Sequence, residues 1–298
     1  MVDSVLDYET IFNADSIYSP FKELVAYEYL SATQAGTAIK YSELFKKEYV
    51  LPSRILEERY GLFEPDGYSE VKEYVKEILG EFSVIFKGDP QYPRGLLKAK
   101  NPIELFYYRG DLGLLEANCV SIVGTRKISD EGIKRTRKLT SILVKDGYTI
   151  VSGLAKGVDT VALSTAIECS GRVIGVIGTP INEYYPKENK SLQDNIAKGH
   201  LLISQVPFFK YSKQPFKTKR FYFPARNITM AAISKATIIV EASDTSGTLV
   251  QARACIDQGK KLFILNSCFE NKWITWPKTY EARGAIRVHS AEDILKHL

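Results

Sequence analysis

The residues best suited to chemistry in this sequence lie in short polar turns that follow apolar stretches. Two of these turns combine small residues with one cation: Gly124, Thr125 and Arg126 after 119–123, and Ser152, Gly153 and Lys156 after 148–151. Small residues leave backbone N–H groups accessible, and the added cation favours an anion such as phosphate. Neither turn matches the P-loop or the Gly-x-Gly-x-x-Gly fingerprint, so ordinary strand-to-helix connections explain them equally well.

A third turn of the same kind lies further along the chain. It spans 241–248, after the apolar run 237–240, and its Ser246, Gly247 and Thr248 begin the next predicted helix. The first N–H groups of a helix have no intrahelical partner and carry a partial positive charge, so they favour a phosphate. We therefore count these three residues among the candidate phosphate ligands.

The stretch 208–227 interleaves six cations with seven aromatic residues. Cations that follow a backbone, beside rings that receive unstacked bases, are the composition of a single-strand binding surface. The rings could instead pack the segment onto the sheet, and the pattern alone slightly favours that packing. On the binding interpretation, the stacking candidates are Phe216, Phe221 and Tyr222. Further phosphate contacts, chosen by charge and position only, are Lys187, Lys217 and Lys219.

Alternating strand and helix patterns are the elements that must position these clusters. Strands are predicted at 119–123, 148–151, 172–177, 201–204, 237–240, 261–265 and 285–288, with helices between them. This alternation implies right-handed βαβ units and an α/β fold with a doubly wound, mainly parallel, Rossmann-like sheet. Ligands of such sheets bind at the carboxyl ends of the strands, which is where the polar turns lie.

Two regions precede the alternating pattern. Residues 1–80 carry helix-forming composition at 21–30, 41–50 and 69–79, with Pro52 among the interrupting residues, and predict a small N-terminal helical domain. Residues 81–115 contain two β-rich pieces separated by prolines that fix turns. We predict that this part is a β extension of a second domain, which spans 81–298.

Composition limits the other possibilities. Lys and Arg number 40 against 35 Asp and Glu, and the formal charge of +5 is too small to establish a polyanionic partner. No apolar stretch approaches the roughly 20 residues that span a bilayer, and a signal peptide pattern is absent, so we expect a cytoplasmic protein without a membrane anchor.

The cysteine and histidine spacings predict no metal site, and Cys119, Cys169 and Cys255 are expected to be reduced core residues. We expect no cofactor.

The order of the motifs resembles the DNA processing protein A family, also called DprA or Smf. The resemblance covers about residues 89–265, and its motifs are Gly124-Thr125-Arg126, 152–159, Gly178, Tyr185-Pro186, 199–204, Phe223-Pro224-Ala225-Arg226-Asn227, Glu241-Ala242 and Ser246-Gly247-Thr248. It implies a Rossmann-like fold, cooperative binding of single-stranded DNA by a homodimer, and loading of the RecA recombinase during natural transformation. It implies no catalytic residues, and it adds Arg226 and Asn227 to the phosphate pocket.

The chain departs from the family pattern at several positions. Leu163 stands where the family has His, Gln205 where it has Glu, Ile228 where it has a second Arg, and Asn266-Ser267 where it has Pro-Gly. One cation and two polar or ionisable groups are therefore absent from the surroundings of the expected site. The sequence after the sheet pattern is also too short for the C-terminal winged helix of many members, so we expect none.

Two other functions remain open at this point. The same phosphate pocket could hold a small phosphorylated signal, with the helical N-terminus transmitting its presence. The Lonely Guy phosphoribohydrolases cleave nucleotides with a glutamate on the helix after their glycine motif. Here Ser246-Gly247-Thr248 is followed by Leu249, Val250 and Gln251, so the acid that catalysis needs is missing.

Overall fold

The computed structural model describes residues 19–33, 51–61, 63–87, 89–97 and 103–298. The strands within these residues form one sheet: β1 (Ser83–Phe86), β2 (Leu105–Gly110), β3 (Cys119–Val123), β4 (Thr149–Ser152), β5 (Val173–Ile177), β6 (Leu201–Ser204), β7 (Ala236–Ile239), β8 (Lys261–Leu265) and β9 (Ile286–Val288). Across the sheet their order is β1-β2-β6-β5-β4-β3-β7-β8-β9. Strands β3 to β9 pair in parallel, whereas β1 and β2 add antiparallel beside β6. The predicted α/β class, with a mainly parallel sheet and a β extension, is confirmed.

The helices precede the sheet or connect its strands. They are α1 (Pro20–Thr33), α2 (Pro52–Tyr60), α3 (Tyr68–Ile78), α4 (Arg94–Leu97), α5 (Asp130–Lys145), α6 (Val158–Glu168), α7 (Lys190–Gly199), α8 (Phe208–Lys213), α9 (Phe216–Lys219), α10 (Tyr222–Ile233), α11 (Thr248–Asp257), α12 (Asn266–Glu270), α13 (Trp276–Glu281) and α14 (Ala291–Leu295). Helices α1 and α3 lie where the sequence predicts them, and the predicted helix 41–50 falls outside the described residues. Pro52 begins α2 instead of interrupting a helix, because proline is tolerated at the first helical position.

The central strands are buried along their whole length because helices cover both faces of the sheet. Every residue of β3 to β7 is buried. Successive side chains point to opposite faces, so Val120 and Ile122 of β3 belong to one apolar cluster, and Cys119 and Val123 belong to the other. Side chains that a ligand can reach are therefore confined to the turns at the strand ends.

The strand order reverses beside β3. Strands β4, β5 and β6 extend from β3 on one side, and β7, β8 and β9 extend on the other. In doubly wound sheets this reversal opens a crevice at the carboxyl ends of the strands, because the two flanking connections leave on opposite faces. The turns after β3, β4 and β7 all end at this edge, as the sequence predicts.

The cysteines differ in exposure. Cys119, Cys255 and Cys268 are buried, Cys169 is exposed, and all four thiols are free. The prediction that Cys169 is a core residue is wrong, because this residue caps the carboxyl end of α6 where the chain turns outward. In the described part of the chain, three or more metal-ligating side chains never converge, and every helix is too short or too polar to cross a membrane.

A buried carboxylate joins the N-terminal helices to the sheet. Glu28 of α1 is fully buried, and its oxygens accept hydrogen bonds from the N–H groups of Phe208 and Phe209 at 2.9 and 3.0 Å and from the Tyr107 hydroxyl. Those two N–H groups begin α8, where they lack intrahelical acceptors. Burial raises the pKa of Glu28 to about 7, against the effect of the hydrogen bonds. Residues of α1 and of the sheet share one apolar cluster, and the predicted domain boundary after residue 80 stays a prediction.

We expect the substitution Glu28→Gln to remove one pH-dependent part of the stability. A carboxyl whose pKa rises from 4.5 to about 7 on folding stabilises the fold fully below pH 4.5, and this contribution is lost as the pH rises through about 7. From about pH 4.5 to about pH 8, the urea unfolding free energy of the wild type should fall by up to about 3 kcal/mol more than that of the variant.

The matched control is Glu58→Gln, which changes an exposed carboxylate of α2. This variant should follow the wild-type dependence on pH. Equal pH dependence in the wild type and in Glu28→Gln would contradict the role of the buried carboxylate.

Candidate functional site

A small cavity lies where the turns after β3, β4 and β5 meet the start of α10. Its volume is about 60 Å³. It is lined by cations, rings and small residues: Arg126, Gly153, Ala155, Lys156, Tyr185, Pro186, Phe223 and Arg226. We call this cavity with its eight lining residues the arginine pocket. Four of the predicted phosphate ligands therefore come together, from three separate segments of the chain.

Arg226 forms the inner wall of the arginine pocket. Its side chain is buried, with 4% of the residue exposed, and Nη1 donates to the backbone oxygen of Val176 at 2.8 Å and to that of Gly153. Its Nε has no hydrogen-bond partner among the described residues. Burial lowers the pKa of Arg226 to about 10, so the guanidinium is charged at neutral pH. A charged guanidinium is thus held in the wall of the pocket by backbone oxygens.

Gly153 and Asp159 allow this arginine to be buried. The glycine leaves space for the guanidinium, and the aspartate supplies an opposite charge. A Cβ atom at Gly153 would overlap the guanidinium of Arg226, so only glycine allows the arginine to lie there. The Asp159 carboxylate accepts the Gly153 N–H at 3.1 Å and attracts the guanidinium, which opposes the lowering of the arginine pKa. Burial raises the pKa of Asp159, and Arg226 opposes that rise in turn. The two charges therefore compensate each other inside the protein.

Arg126 is an exposed cation at the mouth of the pocket. Its Cζ lies 5.8 Å from the ring centroid of Phe223, and the Cζ of Arg226 lies 6.0 Å from the same centroid. The ring can lie there because Gly178 has no side chain; a Cβ atom would be 2.7 Å from the ring. Arg126 forms no salt bridge with any part of the chain that the structure describes, so its charge is available to a ligand.

Lys156 is less free than Arg126. Its Nζ lies 2.6 Å from a carboxylate oxygen of Glu188, and both side chains are more than half exposed. Exposed pairs of this kind contribute little to stability, because water screens them. A phosphate could therefore take the place of Glu188 at small cost. Lys187, the adjacent predicted ligand, is exposed at the start of the short helix Lys187–Asn189.

Comparison with known proteins identifies the family. The family model described as DNA recombination-mediator protein A matches residues 83–298. The chain belongs to this family. It is 35% identical to DNA processing protein DprA of Streptococcus pneumoniae over 238 residues, which are 80% of this chain and 79% of that protein. It is 36% identical to protein Smf of Synechocystis over 212 residues, 70% of this chain but only 50% of the Synechocystis protein.

Solved structures of family members share the fold. The structure of DprA from Streptococcus pneumoniae has a TM-score of 0.69 and 29% identity, and the match covers 97% of this chain and 96% of that one. DNA processing protein A from Helicobacter pylori, studied for its unique single-stranded DNA binding mode, has a TM-score of 0.62 and 28% identity. That match covers 73% of this chain and 95% of the Helicobacter chain.

Several residues that the motifs of the DprA family mark as ligands instead hold the turns in place. The Ser152 hydroxyl is buried and donates to the backbone oxygen of Ile122 at 2.7 Å. The Thr125 N–H donates to the backbone oxygen of Glu241 at 2.6 Å. The turn after β3 therefore offers the Arg126 side chain to the pocket, and the expectation of a free backbone N–H group at Thr125 is wrong because Glu241, in the turn after β7, accepts that donor.

The turn after β7 is joined to its neighbours in the same way. The Thr248 hydroxyl donates to the backbone oxygen of Gly124 at 3.1 Å, and the Asn227 amide donates to that of Gly247 at 2.9 Å. The Ser246 hydroxyl accepts the Thr248 N–H at 3.2 Å and donates to the Thr248 hydroxyl at 2.9 Å. These five predicted ligands lie outside the lining of the arginine pocket, and their contacts fix the edge beside it.

The sequence pattern assigns no role to Asp159 or Phe223, although both lie inside the quoted motifs. Asp159 lies in the first turn of α6, six residues after Gly153, so its carboxylate reaches back to the N–H of that glycine. Glu241 is another such residue: its carboxylate accepts the N–H and the hydroxyl of Ser129, the residue that caps α5, at 3.2 and 3.0 Å. The N-terminus of α5 is therefore occupied by a side chain of the protein.

The stretch 208–227 is helical, and its rings divide between core and surface. Phe208, Phe209 and Tyr211 are buried, as the interpretation that the rings pack the segment onto the protein predicts. Phe216 and Phe221 are 87% and 64% exposed, as the interpretation that the rings bind DNA predicts. The sequence could not separate the two sets, because α8 packs against α1 while the segment around α9 faces outward.

The remaining candidates of this stretch have local partners. Tyr222 is half-buried, and its hydroxyl donates to the Gln214 side chain at 3.0 Å. Lys217 is exposed, and the Nζ of Lys219 lies 4.1 Å from the ring centroid of Tyr211. Of the three predicted stacking residues, Phe216 and Phe221 are thus the accessible ones.

The positions at which the chain departs from the DprA pattern lie around the site. Leu163 is fully buried in α6, and Ile228 is partly exposed on α10. The Gln205 side chain accepts a hydrogen bond from the Thr229 hydroxyl. These replacements leave the arginine pocket itself unchanged, because none of them lines it.

The substitution Asp159→Ala should destabilise the protein strongly. It leaves Arg226 buried without the carboxylate that attracts it and the buried Gly153 N–H without its acceptor, and a buried donor left unpaired costs about 1–3 kcal/mol, or more for a charged group. We expect urea unfolding to show a loss of this size. Glu188→Ala, the control, removes the exposed partner of Lys156 and should change the unfolding free energy little. Small and equal changes in both variants would show that Asp159 does not compensate Arg226.

Proposed function

We propose that this chain binds single-stranded DNA and that the arginine pocket holds a phosphate of the DNA backbone. The observation that carries the proposal is the meeting of two arginines in one small pocket, with Arg226 buried at its inner wall and Arg126 exposed at its mouth. A phosphate between them would accept charge-assisted hydrogen bonds, which are stronger than those between neutral groups. The single-stranded DNA binding of the Helicobacter pylori relative supports the proposal.

The size of the pocket favours a phosphate of a polymer over a free nucleotide. Small-molecule sites usually measure about 300–1,000 Å³, whereas the arginine pocket measures about 60 Å³. A phosphate group fits this volume, and the rest of a strand would continue over the exposed edge. The nucleotide-signal sensor is therefore the weaker alternative.

The bases would stack on exposed rings without being read. Phe216 and Phe221 are exposed, the Arg220 Cζ lies 5.3 Å from the ring centroid of Phe221, and Lys217 and Lys219 lie between the two rings in sequence. Stacking on aromatic side chains tolerates every base, because each base has a π-face. Binding should therefore depend on strandedness and salt more than on sequence.

We propose binding without catalysis. The phosphoribohydrolase reaction needs an acid on the helix after the glycine motif, and this position holds Gln251, which is fully buried and donates to Thr237 at 3.3 Å. The family description as a recombination mediator supports a further step, in which a recombinase of the RecA type receives the DNA. The homodimer that the resemblance implies belongs to the same proposal, and sedimentation of the free protein tests it.

Fluorescence anisotropy with labelled poly-dT tests the binding. If about four phosphates are neutralised, a fourfold rise in salt should weaken binding about fifty-fold, since each phosphate contributes about 0.7 to the slope on single strands. Arg126→Ala should weaken binding of all sequences by about tenfold or more, because it removes a charged contact, and should lower the slope by about 0.7.

The matched control is Arg172→Ala, which removes an exposed arginine at the opposite edge of the sheet, directly before β5. This variant should bind as the wild type does. A flat salt response, equal weakening by the two arginine variants, or tighter binding of mononucleotides than of poly-dT would each overturn the proposed function.

A further inference from the structure

Trp273 is the most exposed of the large hydrophobic side chains in the part of the chain that the structure describes, with 92% of the residue accessible. It lies in the turn between α12 and α13, next to Lys272. An indole is the largest apolar side chain, and full exposure forgoes nearly all of the burial that it can gain. A single exposed ring is not by itself evidence of a partner, so its role depends on where it lies and what surrounds it.

The turn that carries Trp273 is held firmly in place. The Asp244 carboxylate accepts the N–H groups of Thr275 and Trp276 at 3.0 and 2.9 Å. The buried indole of Trp276 donates to the backbone oxygen of Ala242 at 3.0 Å, and the Trp273 N–H donates to Asn271 at 3.0 Å. The ring is therefore presented to solvent on an anchored turn, which lowers the entropy lost when a ligand covers it.

These contacts place the ring at the same edge as the arginine pocket. Ala242 and Asp244 belong to the turn after β7, and β7 lies between β3 and β8. Neighbouring strands are about 4.8 Å apart, so the carboxyl end of β8 is only about 10 Å from that of β3. The carboxyl end of β3 leads directly to Arg126. The turn of Trp273 follows the short helix α12 after β8, on the side of β3 opposite to β4 and β5, so a strand of DNA would have to continue along this edge past β3 and β7 to meet it.

The surroundings of Trp273 favour a nucleobase over an apolar protein surface. Glu270, Asn271 and Lys272 before it are exposed and polar, and Ile274 after it is half-buried. Lys272 and the exposed Lys278 of α13 add positive charge on either side of it in sequence, against one negative charge from Glu270. One open ring beside cations that attract the backbone is the arrangement that binds a single strand.

We propose that Trp273 stacks on a base of the bound single strand and extends the DNA path from the arginine pocket towards β8. This inference rests on the proposed function of the arginine pocket and adds a second, separate contact to it. It assigns DNA contact to a part of the sheet edge that holds none of the predicted ligands.

Intrinsic fluorescence gives a direct test, because the chain has only two tryptophans. Trp276 is buried, so a change on adding unlabelled poly-dT reports mainly on Trp273. We expect wild-type fluorescence to be quenched as the DNA binds, and the quenching to be lost in Trp273→Phe. Trp273→Ala should weaken poly-dT binding about 5- to 150-fold, the range for loss of one stacked base, and Trp273→Phe should recover part of the affinity.

The outcomes separate the two proposals. If Trp273→Ala binds poly-dT as tightly as the wild type while Arg126→Ala binds weakly, the inference is wrong and the proposed function stands. If wild-type protein does not bind poly-dT at all, both fail. If Trp273→Ala changes the sedimentation of the free protein, the ring contacts a second copy of the chain, and the inference is overturned.

Phe63→Ala, which removes an 85% exposed ring before α3, is the control and should leave the affinity for poly-dT unchanged.

Discussion

The site depends on the placement of one positive charge inside the protein. A buried guanidinium loses its hydration, and the fold must replace water with fixed dipoles and an opposite charge. The Arg226 guanidinium donates hydrogen bonds to the backbone oxygens of Gly153 and Val176, and the Asp159 carboxylate attracts its charge. These partners come from the turn after β4, from β5 and from the start of α6, so the arrangement exists only when the sheet edge is fully assembled.

This constraint separates the residues that can touch a ligand from those that hold the edge together. Hydroxyl and amide groups such as those of Ser152, Thr248 and Asn227 bond to the backbone of neighbouring turns. The cations Arg126 and Lys156 are exposed and face outward. A rigid edge with accessible charges loses little entropy on binding, which suits a protein whose proposed ligand is a flexible polymer.

The sequence predicts the fold better than the contacts of the site, for physical reasons. Strands β6 and β8 begin and end where they are predicted, because strands buried on both faces form uninterrupted apolar runs. Only the family resemblance places Arg226 in the phosphate pocket, since nothing next to it in sequence distinguishes a buried arginine from the other cations of 208–227. Ser152 matches the pattern of a ligand, but the direction of its hydroxyl depends on the adjacent strand β3. The contacts of Glu28 link residues about 180 positions apart, which no local pattern reveals.

The most direct test of the phosphate site is a crystal structure of the chain bound to a short oligo-dT. We expect a phosphate in the arginine pocket, with one of its oxygens about 3 Å from a guanidinium nitrogen of Arg126 or Arg226. A complex in which the oligonucleotide lies elsewhere on the surface and the arginine pocket holds no phosphate would contradict the assignment.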